Sequence, residues 1–204
     1  MKKAHRDTGT EALILQKARE VFLTKGMDGA RMQDIADAAG MNKALLHYYF
    51  KNKEALFERI FNETAGRFVP AMKEILASDL HFTTKIEQVC ESYISMAIEN
   101  PYIPLFVVNE MNKRPTQFLE KLYRGGMPEM HKFAAQLDAE VAAGNIRAVS
   151  PAQLIMNIMS MCVFPFIGKP VFASIMGIDD LQYRYMMEQR KTFIPQFILQ
   201  ALKP

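Results

Sequence analysis

The sequence has no tryptophan and only two cysteines, Cys90 and Cys162, in 204 residues. Both fall inside apolar helical patterns. That excludes a disulfide-stapled framework and reads as buried thiols of a reducing compartment. Histidine is also scarce. His5, His47, His81 and His131 are scattered, with neither HExxH nor paired-cysteine spacing for a metal. G-x-S-x-G, P-loop and G-x-G-x-x-G patterns are missing too, so the chain is not expected to be an enzyme, and neither cofactor nor metal is expected. The longest apolar run, Leu154 to Ile167, is interrupted by Asn157 and Ser160 and falls short of the roughly 20 residues of a bilayer span. Met1 to Thr10 is polar and lacks the apolar segment of a signal peptide. A cytoplasmic protein without a membrane partner is expected. No stretch alternates with period two, and no repeat or low-complexity segment stands out.

Half of the residues are hydrophobic, enough for a sizeable core, and the net charge is +3. The placement of that charge is informative. Residues 1–60 hold eleven Lys and Arg against eight Asp and Glu, and the remainder holds fourteen of each. All of the excess therefore lies in the first third, the asymmetry of a nucleic-acid-binding module.

Within that third, Met32, Ile35, Ala36 and Ala39 fall at i, i+3, i+4 and i+7, the apolar stripe of a short helix that Gly40 stops. Asn42 suits the N-cap of a second short helix over 43–50, with Leu46 and Phe50 on its inner face. Lys43, Ala44, His47 and Tyr48 point elsewhere. Asn52 offers a further cap, with Glu54 in the next first turn. Two short helices joined by a glycine turn form a helix-turn-helix pattern, and the second helix has the size that a DNA major groove admits. Part of an ordinary all-α core would show the same pattern, so residue spacing leaves both open.

The remaining periodicity is helical throughout. A first helix over 10–25 carries Ile14, Ala18, Val21 and Phe22 and ends at Gly26. A long helix runs over 53–77 with Pro70 as a kink. Further helices are expected over 83–99, 103–112 and 116–124, the last broken by Gly125-Gly126. Another is expected from Pro128, as a first-turn proline, to Ala143. Pro151 opens the next, disturbed by Pro165, Gly168 and Pro170, and the last runs from Asp179-Asp180 to about Leu202. Fifteen Met and fourteen Phe, most after residue 56, suit either ordinary core or the lining of an apolar pocket. The last two helices carry Phe164, Phe166, Met187, Phe193, Ile194 and Phe197, more apolar surface than one chain covers easily.

The stretch DIADAAGMNKALLHYYFKNKEALF resembles the DNA-binding motif of the TetR/AcrR family of bacterial transcriptional repressors. Ile35-Ala36, Ala39-Gly40, Leu46, Tyr48, Phe50, Lys53 and Leu56 stand at family spacing without a gap, and with the preceding helix the resemblance covers residues 8–60. It implies an all-α fold in two parts. Residues 1–52 would form a helix-turn-helix DNA-binding domain with a basic arm (Lys2, Lys3, Arg6), and 53–204 a larger helical ligand-binding and dimerisation domain. It also implies a homodimer that represses transcription by binding palindromic double-stranded operator DNA, its two heads about 34–36 Å apart on one face.

Residue by residue, the resemblance places Lys43, Ala44 and His47 over base edges and Tyr48, Tyr49 and Lys53 on phosphates. Arg31, Gln33 and Asn42 complete the expected DNA-binding set. A small apolar or aromatic effector would be held by Phe68, Met72, Tyr93, Met96, Phe106, Met111, Met130 and Phe133. The dimer would form through Phe164, Phe166, Met187, Phe193, Ile194 and Phe197. The chain departs from the family pattern in four places. Arg31 stands where Thr or Ser is usual, Leu45 where Thr or Asn is, His47 where Tyr is and Tyr49 where His is. The departures at Arg31, Leu45 and Tyr49 leave open a helical carrier or sensor of small molecules whose N-terminal module no longer reads DNA.

Overall fold

The computed structural model describes residues 7–123, 126 and 128–204. The expected basic arm and Gly125 lie outside the described residues. Eleven helices are present among the described residues: α1 (Thr8–Gly29), α2 (Met32–Ala38), α3 (Lys43–Tyr49), α4 (Lys53–Ala77), α5 (Phe82–Glu99), α6 (Ile103–Lys113), α7 (Pro115–Leu122), α8 (Met130–Ala142), α9 (Pro151–Ile167), α10 (Lys169–Met176) and α11 (Asp180–Ala201). The fold is all-α. No single helix among the described residues is long and apolar enough to cross a membrane.

The chain divides into two compact units, Met1–Ala65 and Gly66–Pro204. The boundary expected at residue 52 marks the start of α4, but the units separate thirteen residues later, inside that helix. The reason is packing. Leu56, Phe57, Ile60 and Phe61 in the first turns of α4 are all buried, and Phe57 meets Phe22 of α1 edge to face at 5.4 Å. Arg19 of α1 also pairs with Glu63 at 2.8 Å. The expected stripe Ile14, Ala18, Val21 and Phe22 lies inward. Gly26 interrupts α1 at φ 68°, a conformation that glycine adopts without a side-chain clash, and one further turn follows it.

In the second unit α5 lies against α11, α9 and α8, with Ile86, Cys90, Ile94 and Ala97 buried between them. Cys90 and Cys162 are free, buried thiols, as expected. The two thiols are hydrogen-bonded across α5 and α9, and that contact draws Cys162 below its ordinary value while it pushes Cys90 up. Buried Lys85 closes the end of α4, donating to the carbonyls of Leu76 and Ser78, both at 2.9 Å, and to Gln136 Oε1 at 2.6 Å. Lys132 of α8 adds a bond to the Ala77 carbonyl at 2.6 Å. The last carbonyls of a helix have no partner within it, so two ammonium groups there meet both a hydrogen-bonding and a dipole requirement.

Two expectations are corrected here. Pro128 does not open α8, which begins at Met130, whose N–H bonds to the Pro128 carbonyl at 2.8 Å in a turn ahead of the helix. Met187 and Ile194, expected at a dimer face, belong to the core, being 3 % and 2 % exposed. With Tyr183 and Ile198 they form the stripe of α11 that faces its own unit.

Candidate nucleic-acid interface

The site is built on α2 and α3. Asp34 accepts from the Arg31 backbone N–H at 2.9 Å, and Lys25 pairs with it at 2.8 Å. Those two contacts, the ammonium first, hold the Asp34 carboxyl below its ordinary value. Ile35 and Ala36 bury the inner face of α2 completely. Gly40 then turns the chain at φ 65°, where a side chain would be strained. Asn42 caps α3 as expected, its Oδ1 taking the Leu45 N–H at 2.8 Å. Asn52 does the same for α4, from the Ala55 N–H at 2.8 Å.

This framing fixes which side of α3 is turned outward. Leu46 is fully buried and Phe50 nearly so. Lys43, Ala44, His47 and Tyr48 are exposed, and so are Arg31, Gln33 and Asn42. The outer face of this seven-residue helix therefore sets Lys43, His47 and Tyr48 beside the aliphatic Ala44 and Leu45. Gln33 is tied to Asp37 at 2.7 Å. His47 Nδ1 stands 3.0 Å from the Lys51 carbonyl, an acceptor only, so that nitrogen carries the proton and donates.

Two expected phosphate contacts are not presented outward. Tyr49 is 9 % exposed, packed on the inner side with its ring edge to face against Tyr48 at 5.4 Å. Lys53 spends its ammonium on the carbonyls of Met27, at 2.6 Å, and Asp28, so it ties the start of α4 to the end of α1. Leu45, which the sequence marks only as a departure from the family pattern, is 41 % exposed on the outer face. Its exposure follows from standing beside Leu46 on a helix with only one buried stripe.

The candidate effector residues are only partly brought together. Phe68 and Tyr93 meet edge to face at 5.8 Å. Met72, Tyr93 and Met130 pack against the core of the second unit, and Met96 is half-buried. Phe133 is 2 % exposed and stacks obliquely on Phe82, a core contact. Phe106 instead pairs with Phe118, and Met111 is exposed. Of the expected dimer residues, Phe164, Phe193 and Phe197 are each more than half exposed and Phe166 is partly buried.

The model of the bacterial regulatory proteins of the tetR family matches residues 14–60, the segment that contains this interface. That segment is of the tetR-family type. Among its curated relatives, the transcriptional repressor KstR2 of Rhodococcus jostii is 27% identical over 150 residues, 66% of this chain and 73% of that protein. The transcriptional regulator RutR of Escherichia coli is 20% identical over 203 residues, 100% of this chain and 95% of that one. The fold of the chain is shared with the ketosteroid transcriptional regulator KstR2 of Mycobacterium tuberculosis, at a TM-score of 0.68, 13% identity and complete coverage of both chains. The hemolysin II transcriptional regulator HlyIIR has the same fold, at a TM-score of 0.60 and 20% identity over 96% of this chain and 98% of that one. The protein is a DNA-binding transcriptional regulator of TetR type and not an enzyme.

Proposed function

We propose that this regulator is a homodimeric, ligand-responsive repressor acting in the cytoplasm on palindromic operator DNA. The outward presentation of α3 carries the reading: His47 and Tyr48 are exposed while Leu46 anchors the helix from within. An α-helix presented in this way enters a major groove with its first residues at base edges. Lys43 then donates to guanine, Ala44 meets a thymine methyl, and His47 reads an adjacent base. Arg31, Gln33, Asn42 and Tyr48 flank them on the backbone, where contacts position the protein rather than specify sequence.

The partner in the dimer is a second copy, through Phe164, Phe166, Phe193 and Phe197. Exposed aromatic surface of this extent on one unit supports such a contact. A small apolar or aromatic effector among Phe68, Met72, Tyr93 and Met96 releases the DNA. The test is a gel shift with DNA from upstream of the protein's own coding sequence, repeated across salt concentrations. The expected result is a specific complex whose log affinity falls with log salt at a slope near −0.9 per neutralised phosphate. A flat salt response, or no preference over random DNA, would reject the reading.

A further inference from the structure

A cavity of about 320 Å³ lies among α9, α10 and α11, at the lower end of the roughly 300–1,000 Å³ of ligand pockets. The sequence explains why it is there. Pro165 sits inside α9 and has no N–H, so the carbonyl of Met161, four residues earlier, loses its helical donor. Gly168 then ends α9, and α10 departs at 72°, leaving the space between the bent pair and α11. Side chains of α11 take up the carbonyls left over. Arg190 Nη2 donates to the Met161 carbonyl at 2.8 Å, and the Tyr183 hydroxyl donates to the Pro165 carbonyl at 2.7 Å.

The walls are largely apolar, with Met161, Phe164, Phe172, Met176 and Met186 among them, and Arg190 is the only charged residue in the lining. The groups acting electrostatically on Arg190 are the Cys162 thiol and the Tyr183 hydroxyl; no carboxylate is among them. Burial holds the guanidinium below its ordinary value. The Met161 carbonyl occupies one of five donors, and a neutral donor would have served it equally. Half-buried at an apolar wall and with no carboxylate beside it, the guanidinium keeps donors and charge to offer an anion.

We propose that this cavity binds a monocarboxylate with an apolar chain, the carboxylate accepting from Arg190 and the chain lying along Met161, Phe172, Met176 and Met186. The proposal stands on the C-terminal unit alone and is independent of the DNA reading. Phe164 lines the cavity and also belongs to the face proposed to pair, so a partner side chain is the rival occupant.

The test is calorimetric titration of the full chain with decanoate, with 1-decanol as the uncharged control. One decanoate per chain is expected, with decanol at least tenfold weaker. Arg190→Gln, which removes the charge and keeps a polar donor on the side chain, is expected to weaken decanoate at least tenfold and leave decanol unchanged. Phe68→Ala, outside this cavity, is expected to leave decanoate binding intact. Because the chain has no tryptophan, Phe172→Trp supplies a single emission that should shift on adding decanoate. Absence of uptake, equal binding of decanoate and decanol, or an Arg190→Gln protein that binds decanoate as before would each overturn the proposal. Should Arg190→Gln fail to fold, the decanoate–decanol difference in the unaltered protein decides.

Discussion

With the proton of His47 placed on Nδ1 by the Lys51 carbonyl, Nε2 of the neutral ring is an acceptor. That suits the exocyclic amine of adenine or cytosine, whereas Lys43 can only donate and suits guanine. Lys43→Ala and His47→Ala should therefore each reduce preference at a different operator base pair by about 1–3 kcal/mol. Anisotropy on single-base operator variants measures this, and equal losses on operator and random DNA would remove both residues from base reading. Lys53 calls for a different outcome, because its ammonium is bonded to the carbonyls of Met27 and Asp28. Lys53→Ala should weaken binding to every sequence and also lower the unfolding midpoint, by about 1 kcal/mol or somewhat more. A variant that loses affinity with an unchanged melt would put Lys53 back on a phosphate. Asp34 brings a pH dependence. Its folded value is lowered, by Lys25 first and then by the Arg31 N–H, so the stability it contributes is present above the ordinary 3.8 and is lost as pH falls through the folded value. Asp34→Asn should thus be less stable than the wild type at neutral pH, the two converging in strong acid as followed by circular dichroism.

Helix ends were the most legible features, because single side chains set them. Asn42 and Asn52 each make the cap bond that their position announces, and Gly26, Gly40 and Gly177 all stand at positive φ where a helix ends or breaks. Pro128 misled because a proline suits a turn ahead of a helix as well as its first residue, and local sequence does not separate the two. The closure of α4 was invisible for another reason. Lys85 and Lys132 lie on different helices from the carbonyls they meet, so only the tertiary arrangement brings them there. Lys85 is fully buried, and removing its ammonium would strand the Leu76 and Ser78 carbonyls. Lys85→Met should cost about 1–3 kcal/mol for each acceptor left unsatisfied. Lys132→Met, at a more open position, should cost less. Urea unfolding of the two variants compares them directly, and a Lys85→Met protein as stable as the wild type would mean that water reaches those carbonyls.

At the scale of the molecule, periodicity could not tell which apolar stripe of α11 meets its own chain. Tyr183, Met187, Ile194 and Ile198 are spaced by four and seven residues and face inward; Phe193 and Phe197 are spaced by four and face outward. Both stripes satisfy the helical repeat, and only the packing of α5 along α11 assigns them. The outward pair, its rings stacked 6.2 Å apart, sits on the same unit as exposed Met156, Met159 and Phe164 of α9. An apolar surface of this kind destabilises nothing in the folded monomer but lowers the free energy of a complex that covers it. Phe197→Glu would bury a carboxylate in the proposed dimer while leaving the core untouched, because Phe197 is 52 % exposed in the single chain. Sedimentation should therefore show the wild type as a dimer and Phe197→Glu as a folded monomer with unchanged helicity. Binding to a duplex with both operator half-sites should fall steeply in the variant, since two linked heads gain from one another's occupancy and separate heads do not. On a duplex with one half-site the two proteins should bind alike. A Phe197→Glu protein that still sediments as a dimer would shift the pairing surface away from this stripe of α11.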